Sequence, residues 1–202
     1  RGLGDVYKRQ HEGEHEAYGI PFPPLKERFD RLEENLEIIT GLWQTPLGEE
    51  FDYEGTHFRL SKSPALPKPV QHPRPPIIIG GSGKKRTPAL AARFADEFNV
   101  VFQPLDVAGD LIGRVRTACV DTGGDPESLT YSAALVLCCG RDEAEFRRQA
   151  EAIGREPDEL RENGAAGTPD EVAAKIATYG ELGVTRMYLQ TLDPVSYTHL
   201  TL

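Results

Sequence analysis

Residues 75–102 read PPIIIGGSGKKRTPALAARFADEFNVVF. Ile77, Ile78 and Ile79 form a β-branched run too short for a helix and bounded by proline and glycine, which predicts a buried strand over 76–80. The GGSG that follows leads into TPALAARFADE, a helical pattern for which Thr87 is the expected N-cap and Pro88 the first helical residue. FNVVF then predicts a second strand over 98–102. A strand, a helix and a strand joined this tightly imply parallel pairing, because the helix carries the chain back to where the next strand begins.

Working outward, the alternation continues. A helix is expected around 106–122, a strand over 130–139 (TYSAALVLCC) and a helix over 142–152. GTPDEV is a helix start in which Thr168 caps, Pro169 opens and Glu171 completes a capping box. That helix should run to Gly180 or Gly183, with VTRMYLQT (184–191) as the last strand. Before the opening stretch, Leu25, Phe29, Leu32, Leu36, Ile39 and Trp43 recur at steps of three and four, the mark of an amphipathic helix. FDYEGTHFRL (51–60) places aromatic residues on either side of a Glu-Gly turn and reads as an inserted hairpin, followed by the proline-rich linker SPALPKPVQHPRP. The fold class is therefore α/β with parallel strands, either an open doubly wound sheet or a (β/α)8 barrel.

Composition narrows the function. The 202 residues carry a formal charge of -9, which excludes the clustered Lys and Arg of a nucleic-acid surface or a polybasic membrane surface and leaves small-molecule partners. No window approaches the ~20 apolar residues of a membrane span. The three cysteines include no C-x-x-C pair, so neither a disulfide framework nor a cysteine zinc site is expected, and a reducing cytoplasm fits.

GGSGKKRTP follows a buried strand and opens a helix, so backbone N–H groups around Gly80, Gly81, Ser82 and Gly83 can meet an anion, with phosphate the natural guest. It matches neither the Walker pattern nor G-x-G-x-x-G, since Arg86 stands where the third glycine belongs. A tight turn that merely needs glycine is the competing reading. Lys84, Lys85 and Arg86 either add charge there or form a solvated face. Gln103, Arg141 and Gln190 fall at or beyond C-terminal strand ends, where barrels build their sites. Cys138 and Cys139 alternate across a buried strand, and neither need be a nucleophile.

His11 to His15, HEGEH, match the zincin pattern, which works only on a helix that sets both imidazoles on one face. Gly13 between the histidines and the YGIP that follows argue against that helix, so no metal is expected. Glu33, Glu34 and Glu37 read as the polar face of the 25–43 helix, and His57 and His72 as exposed.

RGLGDVYKRQ (1–10) and VSYTHLTL (195–202) share neither the composition nor the periodicity of the rest and read as non-native terminal scars. Between them, HEGEHEAYGIPFPPLKERFDRLEENLEIITGLW, the hairpin, PPIIIGGSGKKRTPALAARFADEFN and GTPDEVAAKIATYGELGVTRMYLQTLD together resemble the later part of the luciferase-like oxidoreductases, in the branch using deazaflavin coenzyme F420. The resemblance implies that residues 11–194 are the C-terminal part of a (β/α)8 TIM barrel whose early strands are missing, since they fall short of the ~250 residues a full barrel takes. It further implies that HEGEHEAYGIPF is the loop after the fourth strand and that Gly80, Gly81, Ser82 and Gly83 contact the cofactor phosphate. The expected activity is hydride transfer between F420 and an organic substrate, with FMN as the alternative cofactor. A non-catalytic or isomerase-type phosphate-binding barrel is the reading from another class. The family's glycine-rich stretch and Trp before the acidic loop are replaced here by RGLGDVYKRQ. No catalytic acid or base is assigned, this stretch alone is expected to be inactive, and a homo-oligomer is left open.

Overall fold

The computed structural model describes residues 12–192. Both terminal peptides read as scars, and His11, lie outside the described residues. The chain divides into two compact units, Arg1–Pro75 and Pro76–Leu202, at the end of the proline-rich linker.

In the first unit, residues 12–17 are helical, which corrects the expectation that HEGEH is a loop unable to hold a helix. One glycine costs such a helix only ~1 kcal/mol, and Glu12, Glu14, Glu16 and Ala17 are helix formers. The helix stops at Gly19, whose φ of 64° is left-handed, as expected of a glycine just past a helix end. α1 (Leu25–Gln44) starts directly after Pro24. Of the expected apolar stripe Leu36 is buried, together with Ile38, whereas Leu25, Leu32 and Ile39 are exposed. β1 (Phe51–Glu54) and β2 (Arg59–Ser63) pair antiparallel as the expected hairpin, with Tyr53 opposite Leu60 and Glu54 opposite Arg59. A Cβ on Gly41 would stand 2.2 Å from the Phe51 ring, so the missing side chain is what lets Phe51 lie against α1.

In the second unit, β3 (Ile78–Gly80), β4 (Glu97–Val101), β5 (Thr130–Cys139) and β7 (Arg186–Thr191) form the parallel sheet that the β–α–β pattern implied. α2 (Arg86–Phe94), α3 (Leu105–Asp121), α4 (Glu143–Ala152) and α6 (Pro169–Glu181) make the crossovers. β4 and β7 both pair with Ser132–Ala134 and so lie on opposite edges of β5. β3 and β7 each have one partner among the described residues, so the barrel is not closed here. Alternation sends Phe98 and Val100, each 1% exposed, to one face and Glu97 and Asn99 to the other.

Two elements escaped the sequence reading. α5 (Pro157–Asn163) is only seven residues long, and β6 (Ala165–Gly167) is Ala-Ala-Gly, too short and too small for any periodicity. β6 pairs with Leu137–Cys139, on the edge of β5 opposite β7, because Leu137 registers with Ala165 and with Thr191. β4 uses the lower part of that edge and β6 the upper. Between them Val136, Cys138, Phe146, Leu160 and Ala166 form a buried cluster, with Phe102 packed against it.

Candidate functional site

Parallel pairing brings the C-terminal ends of β3, β4, β5 and β7 to one end of the sheet, and the residues singled out from sequence collect there. β3 ends at Gly80, in register with Asn99. A Cβ on Gly80 would sit 3.0 Å from the Asn99 carbonyl oxygen and 3.4 Å from Val101 Cγ2, so β4 approaches here as only glycine allows. Gly81 has φ 136°, a conformation that side-chain-bearing residues rarely adopt. A Cβ on Gly83 would fall 2.4 Å from Thr87 Oγ1. The loop therefore folds tightly over Thr87, which is buried.

That position corrects the expected cap. Lys85 is the N-cap of α2, Thr87 is its second residue, and Pro88 its third. The threonine is spent on packing beneath Gly81 and Gly83, a role that the S/T-before-proline signal does not distinguish from capping. The backbone N–H groups of Ser82, Gly83 and Lys84 donate to no backbone carbonyl among the described residues. N–H groups that no backbone carbonyl takes, on a glycine loop ahead of a helix, suit an anion such as a phosphate ester.

The neighbouring charges are less committed. Lys84 and Lys85 are exposed and line a groove with Asp110 and Arg114 of α3, as a solvated face would. Arg141 folds back on Glu145, with Nε and its backbone N–H both donating at 2.8 Å, and this pairing raises its pKa. Gln103 Nε2 donates to the Val101 carbonyl at 3.2 Å, and Gln190 is exposed on β7. Burial, reinforced by Glu145, pushes the Cys139 thiol up, the opposite of what a thiolate nucleophile needs.

Sequence reasoning missed a polar row on the sheet. Asn99 Nδ2 donates to Ser132 Oγ at 2.8 Å, both side chains buried, and Glu97, 3% exposed, pairs with Arg186. Registers set Asn99, Ser132 and Arg186 level across three strands. The asparagine inside EFNVVF was the available signal, a polar residue in the middle of an apolar strand.

The described part of HEGEH lies in the first unit. His15 Nδ1 lies 3.1 Å from the Pro21 carbonyl oxygen, and its ring packs edge-on against Phe22. Glu34 accepts the backbone N–H groups of Thr56, His57 and Phe58 at 2.8–3.2 Å, and Tyr53 donates to Glu37 at 2.6 Å. The acidic face of α1 thus holds the hairpin turn. His57 is half-buried, where exposure was expected, and His72 is exposed.

Comparison with known proteins agrees with this architecture. An F420-dependent glucose-6-phosphate dehydrogenase of Nakamurella multipartita is 40% identical over 80 residues, covering 40% of this chain and 22% of that protein. An FMNH(2)-dependent dimethylsulfone monooxygenase of Pseudomonas putida is 33% identical over 85 residues, 42% of this chain and 22% of that protein. The solved structure of an F420-dependent secondary alcohol dehydrogenase in complex with an F420-acetone adduct superposes with a TM-score of 0.73 at 17% identity, over 86% of this chain and 59% of that one. The chain thus spans well under two thirds of the length of these relatives. The luciferase-like monooxygenase profile matches residues 8–164, most of the chain and most of the sheet's C-terminal end, and the chain belongs to that family.

Proposed function

We propose that the full-length protein is an F420-dependent oxidoreductase that moves a hydride between the deazaflavin and a small organic substrate, and that Gly80, Gly81, Ser82 and Gly83 hold the cofactor phosphate. The observation that carries this reading is the loop itself: a positive-φ glycine, three positions without Cβ, and N–H groups not taken by backbone carbonyls, at the C-terminal end of a parallel sheet. Barrels of this kind build their sites at that end. The bound cofactor supplies the redox chemistry, and this chain's residues supply binding and orientation. Gly81 and Gly83 keep the backbone low enough for its N–H groups to reach a phosphate. The Asn99–Ser132 hydrogen bond ties β4 to β5 next to Gly80.

F420 is preferred because a relative that matches over 80 residues is F420-dependent. FMN is the second reading, favoured by the similarity to an FMNH(2)-dependent monooxygenase. Titrating the full-length protein with each cofactor, followed by fluorescence, separates the two. Saturable F420 binding with weaker FMN binding is the expected result. Tighter FMN binding would replace the first reading by the second, and indifference to both would leave the loop as a turn.

A further inference from the structure

We propose that Tyr179 is a positioning residue for the phosphate loop, acting from α6 through the β4–α3 connection; this rests on the reading of residues 80–83 as the phosphate site. Tyr179 is 2% exposed, and its hydroxyl donates to the Gln103 carbonyl at 2.7 Å. Burial, with the Asp106 charge adding to it, pushes the phenol up, so the hydroxyl stays a proton donor across the working range of pH.

The carbonyl it holds belongs to an unusual connection. Phe102 has φ 49°, left-handed backbone in a residue that carries a bulky side chain, which persists only where the surroundings enforce it. Three contacts do so. The Phe102 N–H donates to the Ala134 carbonyl at 2.9 Å, its ring packs on the Val136–Phe146–Leu160 cluster, and Tyr179 fixes the next carbonyl. The bend at Phe102 is where β4 leaves the edge of β5 that β6 occupies higher up.

From there the contacts run back to the glycine loop. Gln103 Nε2 donates to the Val101 carbonyl, and Val101 Cγ2 stands 3.4 Å from where a Gly80 Cβ would be. Tyr179, Gln103 and Val101 thus form a hydrogen-bonded path from a helix on the sheet's face to the side chain that flanks Gly80, where the loop starts. Loosening the first link lets Val101 shift against Gly80 and moves the N–H groups that follow.

The test is Tyr179→Phe in the full-length protein, which removes one hydroxyl and keeps the ring. Dissociation constants are measured for FMN and riboflavin, or F420 and its phosphate-free chromophore, choosing the pair that the wild type binds. The variant should lose about threefold to tenfold in affinity for the phosphate-bearing form, the range that one neutral hydrogen bond spans, with the phosphate-free form unchanged. Val172→Ala, buried on the same helix but outside the contacts that hold Phe102, serves as the stability control and should keep wild-type affinity well below its melting temperature. Equal losses for both ligand forms, equal losses in both variants, or no loss in Tyr179→Phe would each overturn the proposal. A wild type that does not distinguish phosphate-bearing from phosphate-free ligand would overturn the loop assignment itself.

Discussion

Residues 76–192 bury Phe98, Val100, Val115, Leu135, Phe146, Leu160 and Tyr179 almost completely, whereas in residues 12–75 the buried apolar side chains are Leu36, Ile38 and Ala65. The second unit is held by packing between layers. In the first, a hairpin turn hangs on one carboxylate that accepts three backbone N–H groups, with a tyrosine hydroxyl on another. The lesson is about where each kind of perturbation should be felt. Packing defects should act cooperatively over the sheet, and charge or pH changes should act locally on the hairpin.

The largest expected effect is on the sheet. Phe146→Ala empties the middle of the Val136–Leu160 cluster and should cost ~3–5 kcal/mol, read as a lowered denaturation midpoint of the full-length protein. A loss below ~1 kcal/mol would show that the cluster does not act as a core.

A smaller effect is expected at the start of α6. Glu171 accepts the Thr168 N–H at 2.7 Å and its hydroxyl at 3.0 Å. Thr168→Ala should lower stability by ~1 kcal/mol, with the spectroscopic signature of the native fold retained.

The mildest effect belongs to the hairpin. Glu34→Ala should speed amide exchange at Thr56, His57 and Phe58 and leave residues 76–192 protected as before. Loss of hydration pushes the Glu34 carboxyl up, but the N–H donors of His57, Thr56 and Phe58, with the His57 charge, outweigh this and hold it below the usual carboxylate range. A lowered folded-state pKa means that the contribution is fully present above the unfolded value of about 4.3 and is lost as pH falls through the lower folded one. The protection factors of the turn amides, taken against intrinsic exchange at each pH, should therefore fall as pH drops below that unfolded value while those of the sheet amides hold. Simultaneous opening of both regions would break the comparison.

The two regions also differed in how far the sequence could be read. Thr130–Cys139 was delimited to the residue, because a run of apolar and β-branched positions broken by Ser132 alone lies between turn signals. α6 was placed by its capping box. β6 was invisible, since Ala-Ala-Gly has no pattern and becomes a strand only because the upper edge of β5 is open to it. The helix over 12–17 was missed by giving one glycine too much weight against four good helix formers. At the site, Gly80, Gly81 and Gly83 stood out by composition, while Thr87 was misassigned because capping and packing use the same residue type. Glu34 and Tyr179 were out of reach, as their partners lie 22 and 76 residues away.

Cofactor affinity of Gly81→Val in the full-length protein tests the phosphate-loop assignment most directly. Gly81 holds φ 136° and its Cβ would meet Thr87 Cγ2 only at 3.5 Å, so the substitution disturbs the backbone of the loop more than its packing. Losing one or two charge-assisted N–H contacts should weaken binding of the phosphate-bearing cofactor by roughly tenfold to a thousandfold, while the phosphate-free chromophore binds as before and thermal melting shows a folded protein. A folded Gly81→Val protein that binds the phosphate-bearing cofactor with wild-type affinity would show that GGSG is a turn and that the phosphate is held elsewhere.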